Sequence, residues 1–173
     1  TFCASLGLEL DGEAVLAAIY DPTRRELFTA VKGGGAFLNG APLAVSGAES
    51  VLDSLLVTGF PYTVHESETG RELVGLFGHF LGRSRAVRRL GSAALDLAYV
   101  AAGRLDGFYE ATLKPWDSCA GALLVEEAGG RRGHPRQHRP GFDAICGLDV
   151  DAQHAAAGRC ADHVDVVVAG AAL

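Results

Sequence analysis

Methionine is absent from all 173 positions, and tryptophan occurs once. A chain that opens on Thr1 rather than Met carries the expectation that further residues precede it. Cysteine is scarce as well. Cys3, Cys119, Cys146 and Cys160 form neither close pairs nor zinc-ligand spacings, and Cys3 and Cys119, inside apolar segments, read as small buried apolar residues of a reducing compartment. No apolar run approaches the roughly 18 residues that a membrane span requires. No segment has the charged start and apolar centre of a secretion signal. A cytoplasmic location with no membrane partner is the expectation. Basic residues are also in deficit: 15 Lys and Arg stand against 21 Asp and Glu, for a formal charge of -6. Arginines cluster only at 83–89 and 131–139. A phosphate backbone demands a broad positive surface, which argues against a nucleic-acid partner. What is plentiful is apolar content, 49% against 21% charged, the balance of a chain that buries one sizeable core.

Periodicity divides the chain near residue 50. Phe2, Ala4, Leu6, Leu8 and Leu10 alternate with smaller or polar residues, the period of a strand. Asp11-Gly12 is a hairpin pair, Ala14 to Tyr20 reads as a second strand ended by Asp21-Pro22, and Glu26 to Val31 as a third. Gly33-Gly34-Gly35 and Asn39-Gly40 then turn the chain around Ala36-Phe37-Leu38. Residues 1–50 are therefore expected to be an antiparallel meander with one apolar face in need of cover. Residues 51–173 alternate strands and helices, as in an αβ layer. The spacing of Leu73, Leu76, Phe77, Phe80 and Leu81 predicts a helix over 68–81, and strands are predicted at 55–57, 85–90 and 107–110. Two more helices are predicted, one after Ser92 and closed near Gly103, the other over 118–128 and closed by Gly129-Gly130. Beyond Arg131 the sequence is basic and turn-rich and reads as a surface loop, with strands expected at 142–148 and 164–169. His134, His138, His154 and His163 fall there at spacings that do not make a metal motif.

Three places can carry chemistry. Asp117 stands at or near the N-cap of the 118–128 helix, where free backbone N–H groups and the positive helix end favour an ionised carboxylate, a good hard ligand. Ser92, between Gly91 and Ala93, opens the preceding helix, whose uncrowded N–H groups can hold a phosphate oxygen. Glu110 ends a strand just ahead of Asp117. Two carboxylates beside an anion-binding helix end point to hydroxyl recognition and magnesium.

These residues resemble a known family. WDSCAGALLVEEAGG, residues 116 to 130, looks like the second signature of the inositol monophosphatase family, lithium-sensitive, magnesium-dependent sugar-phosphate phosphatases. DPTRRELFTAVKGGGAFLNGAPLAVS from Asp21, TGFPY from Thr58 and RRLGSAALDLAYVAAGRLDGFYE from Arg88 agree with it in order. The resemblance implies a layered α+β (α/β) fold of the inositol monophosphatase type, incomplete at its N-terminus: residues 1–50 supply the last strands of a large antiparallel sheet, and 51–173 a smaller αβ layer with a divergent tail from about 131. It implies that Asp117 ligates Mg2+ and lies near the substrate hydroxyls. It further implies that Glu110 accepts a hydrogen bond from the inositol ring, that Gly91, Ser92 and Ala93 face the substrate, and that Arg88 supports the pocket. A small phosphorylated polyol is the implied substrate and a homodimer the implied full-length assembly.

The family's first signature, Asp-Pro-x-Asp-Gly-Thr, and an earlier Glu do not occur in this sequence. No complete catalytic set is therefore present, and this stretch alone is expected to be inactive, with a missing N-terminal segment supplying the rest. The alternatives are a histidinol-phosphate, fructose-bisphosphate or phosphoadenosine-phosphate phosphatase, or a non-catalytic structural or interaction module.

Overall fold

The computed structural model describes residues 2–62, 64–65, 68–111, 113–133 and 164–168. Its first half is an antiparallel meander, β1 (Ala4–Leu10), β2 (Glu13–Asp21), β3 (Glu26–Val31), β4 (Gly35–Leu38) and β5 (Ala41–Pro42), each strand paired to the next. The turns follow from residue type. Asp11-Gly12 and Asn39-Gly40 all take positive φ, the conformation that Gly, Asn and Asp reach at least cost. The second half begins with β6 (Leu55–Thr58), α1 (Glu68–Leu81), β7 (Ala86–Arg88) and α2 (Ala93–Ala101). It continues through β8 (Gly107–Ala111), α3 (Pro115–Glu127), β9 (Arg131–Gly133) and β10 (Val164–Val168). The order in this second sheet is β7-β6-β8-β10-β9. β6 pairs in parallel with β7 and β8, while β10 runs antiparallel to β8 and β9.

Helices α2 and α3 lie between the two sheets. Ala17, Ile19, Phe28, Ala30 and Ala36 of the meander meet Leu95, Leu97, Val100, Leu123, Leu124 and Val125 of the helices, and Val57 and Phe108 of the second sheet complete the same core. On the far side of that sheet Leu56, Val87 and Tyr109 pack against Leu73, Leu76 and Phe80 of α1. The layers are thus sheet, helix pair, sheet, helix. None of the helices among the described residues is long and apolar enough to cross a membrane.

Close approach of the two central helices depends on glycine. A Cβ placed on Gly121 of α3 would stand 2.5 Å from Leu97 Cβ of α2. On its other side α3 meets β1, where a Cβ on Gly7 would stand 2.6 Å from Cys119 Sγ. The last turn of α3 is tied to the meander, since Glu127 accepts from Gly33 N–H at 2.7 Å and Gly35 N–H at 2.8 Å.

A polar clasp closes the opposite edge. Asp21 is buried and accepts from the N–H groups of Thr23 and Arg24, from Arg24 Nη1 at 3.0 Å and from Tyr99 Oη at 3.2 Å. Arg104 donates twice to Glu26 at 2.7 Å and lies over the rings of Phe28 and Tyr99. The guanidinium of Arg104 holds the Glu26 carboxyl below its ordinary pKa.

Several expectations change. The alternating apolar residues of β1 do not point into the core: Leu6 is 57% exposed and Leu8 46%. The face that α3 approaches carries Gly7, because only a residue without a side chain leaves room there. In register across the outer face, Leu8, Leu16 and Val31 line up, as do Ala4, Tyr20 and Leu27, leaving one broad apolar surface. The last helix starts at Pro115, three residues ahead of its expected start, because proline fits the first helical position. Arg131–Gly133, read as loop, forms β9 against β10, with partners 33 to 37 positions away that local sequence does not announce. The strand expected at 142–148 and the histidines at 134, 138, 154 and 163 lie outside the described residues.

Two predictions follow from this packing. Gly121→Ala should cost about 1–3 kcal/mol of unfolding free energy through overpacking against Leu97. Gly75→Ala, in α1 with open space around it, should gain about 0.5–1 kcal/mol by the helix preference for alanine; equal effects in a urea titration would contradict the assigned contact. The outer face should bind an environment-sensitive apolar dye, and Leu8→Thr with Val31→Thr should dim that signal while stability moves by no more than about 0.5 kcal/mol per site.

Candidate functional site

The N-terminal ends of α2 and α3 open on the same space. Ser92 caps α2 in an extended conformation, with φ -146° and ψ 100°, and its hydroxyl makes no capping bond to the helix. The Oγ instead lies 3.6 Å from Cys3 Sγ. Gly91 before it takes φ +88°, which turns the chain out of β7 and leaves the helix end uncrowded. Asp117 sits in the first turn of α3, at its third position, next to the N-cap as expected. Its Oδ2 accepts from the Lys114 N–H at 3.0 Å, an inverted cap that fixes the carboxylate at the positive helix end.

Glu110 reaches the same space from β8. Its carboxylate presses on the backbone of Gly59, where any Cβ would collide with both of its oxygens. Glycine at that strand end is therefore required for the acid to occupy its place. Burial, and then the charge of Asp117, push the Glu110 carboxyl up to about 7, with Arg89 acting in the opposite sense. Asp96, one turn into α2, is 1% exposed. Burial and then the charge of Glu110 raise it to about 7.

Together these groups line a cavity of about 590 Å³. Of the residues singled out in the sequence, Gly91, Ser92, Ala93, Glu110 and Asp117 are on its wall. Arg88 is not. Its side chain is exposed and its Nη1 donates back to Val87 O at 3.2 Å. Arg89 takes the wall position instead, with its guanidinium 4.9 Å from the Phe60 ring centroid. Sequence reading also passed over Phe60, Tyr62, Trp116 and Asp96, all on the wall. For Asp96 the signal was available: it is the one charged residue within AALDLAYVAAG.

The comparisons with known proteins join this geometry. The model of the inositol monophosphatase family matches residues 1–167. The chain belongs to that family. Nus factor SuhB of Escherichia coli is 48% identical over 129 residues, which are 75% of this chain and 48% of that protein. Inositol-1-monophosphatase of Rhizobium meliloti is also 48% identical over 129 residues, with the same coverage. The chain thus spans about half the length of the curated relatives it matches. Among solved structures, the inositol monophosphatase of Anabaena superposes with a TM-score of 0.77 at 35% identity, covering 98% of this chain and 60% of that one. Mycobacterium tuberculosis SuhB gives 0.73 at 32%, covering 97% and 58%. The layered fold expected for the family is the fold observed.

The two raised carboxyls set a pH dependence. In the unfolded chain each titrates near its ordinary value, about 4. The folded protein therefore binds more protons between about pH 4 and pH 7, and stability falls as pH rises through that window. Glu26, held low by Arg104, works in the opposite direction: its contribution is present above the ordinary carboxylate range and lost on acidification. Glu110→Gln should flatten the fall in denaturation midpoint between about pH 5 and pH 7.5. An unchanged slope in that variant would show that Glu110 titrates normally.

Proposed function

We propose that this chain carries the substrate-binding half of a phosphomonoesterase acting on inositol monophosphate or a similar polyol phosphate. The observation that carries the reading is the convergence of the α2 N-terminus, Glu110 and Asp117 on one cavity. Backbone N–H groups at a helix start favour an anionic phosphate oxygen. Arg89 on the wall adds a positive charge to the cavity. Glu110 is an acceptor suited to a ring hydroxyl. The aromatic rings of Phe60 and Trp116 offer apolar surface to the carbon skeleton of the ester.

Magnesium belongs to this reading with a limit. A magnesium ion would polarise the ester and lower the pKa of a bound water. Asp117, anchored by its own helix end, is the residue suited to hold it. Among the described residues, however, no group of three His, Cys, Asp or Glu side chains could hold a metal ion. The described residues do not by themselves form a magnesium site. In this reading the remaining ligands come from the portion of the family's length that lies outside the match. The partners are the phosphorylated polyol and, for a full-length protein, a second copy of the chain.

The same incompleteness supports a second reading, a binding module that holds phosphate esters without hydrolysing them. Calorimetric titration with inorganic phosphate and with inositol 1-phosphate, followed by a hydrolysis assay, separates the two. In either case Glu110→Leu, which removes the acceptor oxygens, should weaken inositol 1-phosphate by roughly tenfold and leave inorganic phosphate within about twofold. Equal loss of both ligands would remove Glu110 from polyol recognition. Turnover by these 173 residues alone would rule out the module.

A further inference from the structure

Arg24, Arg89 and Arg104 each lie over an aromatic ring, and they differ in what their donors meet. Arg104 stands over Phe28 and Tyr99 and gives two N–H groups to Glu26, while Arg24 stands over Tyr99 and gives one to Asp21. Arg89 stands 4.9 Å from the Phe60 centroid, and its guanidinium donates to no acid or carbonyl among the described residues. A ring contact occupies the face of a guanidinium and leaves the N–H donors along its edge available. Phe60 is itself held, since its ring meets that of Phe77 of α1 at 64° with centroids 5.7 Å apart. Arg89 is exposed and on the cavity wall, so a ligand in the cavity reaches it. Of the wall residues it is the one cation, and it comes two positions ahead of Gly91, at the approach to the α2 start.

We propose that Arg89, steadied by Phe60, is a specificity-determining residue that selects phosphate monoesters over diesters, its edge binding two terminal oxygens while the N–H groups at the α2 start bind the third. A guanidinium edge takes two phosphate oxygens in parallel, and a helix start takes another. A monoester has three terminal oxygens and satisfies both; a diester has two and satisfies one fully only at the expense of the other. This rests on the reading of the cavity as a phosphate-ester site and adds to it the end of the ligand that the site inspects. Phe60 acts through Arg89 and is a positioning residue: the ring beneath the guanidinium reduces the side-chain freedom that binding would otherwise remove.

Substitution separates the fork from the charge. Binding is measured calorimetrically on the full 173-residue chain with inositol 1-phosphate, its methyl diester and inorganic phosphate. The wild type should bind the monoester roughly tenfold tighter than the diester. Arg89→Gln and Arg89→Lys should each lose roughly tenfold on the monoester and on inorganic phosphate and stay within about threefold on the diester, because lysine keeps the charge without the planar fork. Phe60→Leu should lose about threefold on the monoester, Phe60→Tyr should stay within about twofold of the wild type, and Phe60→Leu should add nothing once Arg89→Gln is present. Equal losses on monoester and diester overturn the proposal, and so does a lysine variant that matches the wild type. Additive losses in the double variant overturn the role of Phe60. Should Phe60→Leu not fold, proton NMR of the wild type decides that role: the Arg89 side-chain protons should carry the ring-current shift of a group over an aromatic face, and ordinary shifts overturn it. Failure of the wild type to bind inorganic phosphate defeats the phosphate-site reading itself. Normal phosphate binding with a monoester preference indifferent to Arg89 defeats only this inference.

Discussion

The site rests on how closely two helices can approach. Gly121 presents no side chain to Leu97, so α3 lies against α2 near backbone contact between two sheets. Protein interiors are packed too densely to absorb an added group by small adjustments elsewhere. A wider separation would move the helix starts apart, and with them Ser92 and Asp117. Gly7 imposes the same condition on the other flank of α3, and Gly59 does so for Glu110. Three glycines from three distant stretches thus set the dimensions of one cavity.

Electrostatics divides the molecule into a satisfied end and an unsatisfied one. At the clasp between the meander and α2, Asp21 and Glu26 have donors for their oxygens, and the adjoining guanidinium groups hold both carboxyls below their ordinary range despite burial. At the cavity burial outweighs the nearby charges: Asp96 and Glu110 both rise to about 7, although Arg89 pulls Glu110 the other way. The same residue type is stabilising in one place and costly in the other.

Much of the fold was legible along the chain. The boundaries of β3 and α1 coincide with those expected, because the turn residues that flank 26–31 and a three-four spacing over 68–81 are local signals. The family blocks located Gly91, Ser92, Ala93, Glu110 and Asp117, all of which meet the cavity. Of the adjacent pair Arg88 and Arg89 only the second is on the wall, a difference that a strand of three residues is too brief to phase from sequence. The facing of β1 was not legible either. Its larger residues face outward because the inner side must admit a helix, and the position of that helix is contributed by residues more than 100 positions later.

What the sequence determined alone is the local chemistry: which segments are strands and helices, where glycine and Asn or Asp turn the chain, and which family's blocks it carries. Tertiary structure decided which face of each strand is buried, which arginine reaches the cavity, and that Asp96 lacks a donor while Asp21 has four. The reason is range. Periodicity and turn preference act over a few residues, whereas burial and hydrogen-bond satisfaction depend on neighbours that only the folded chain brings together.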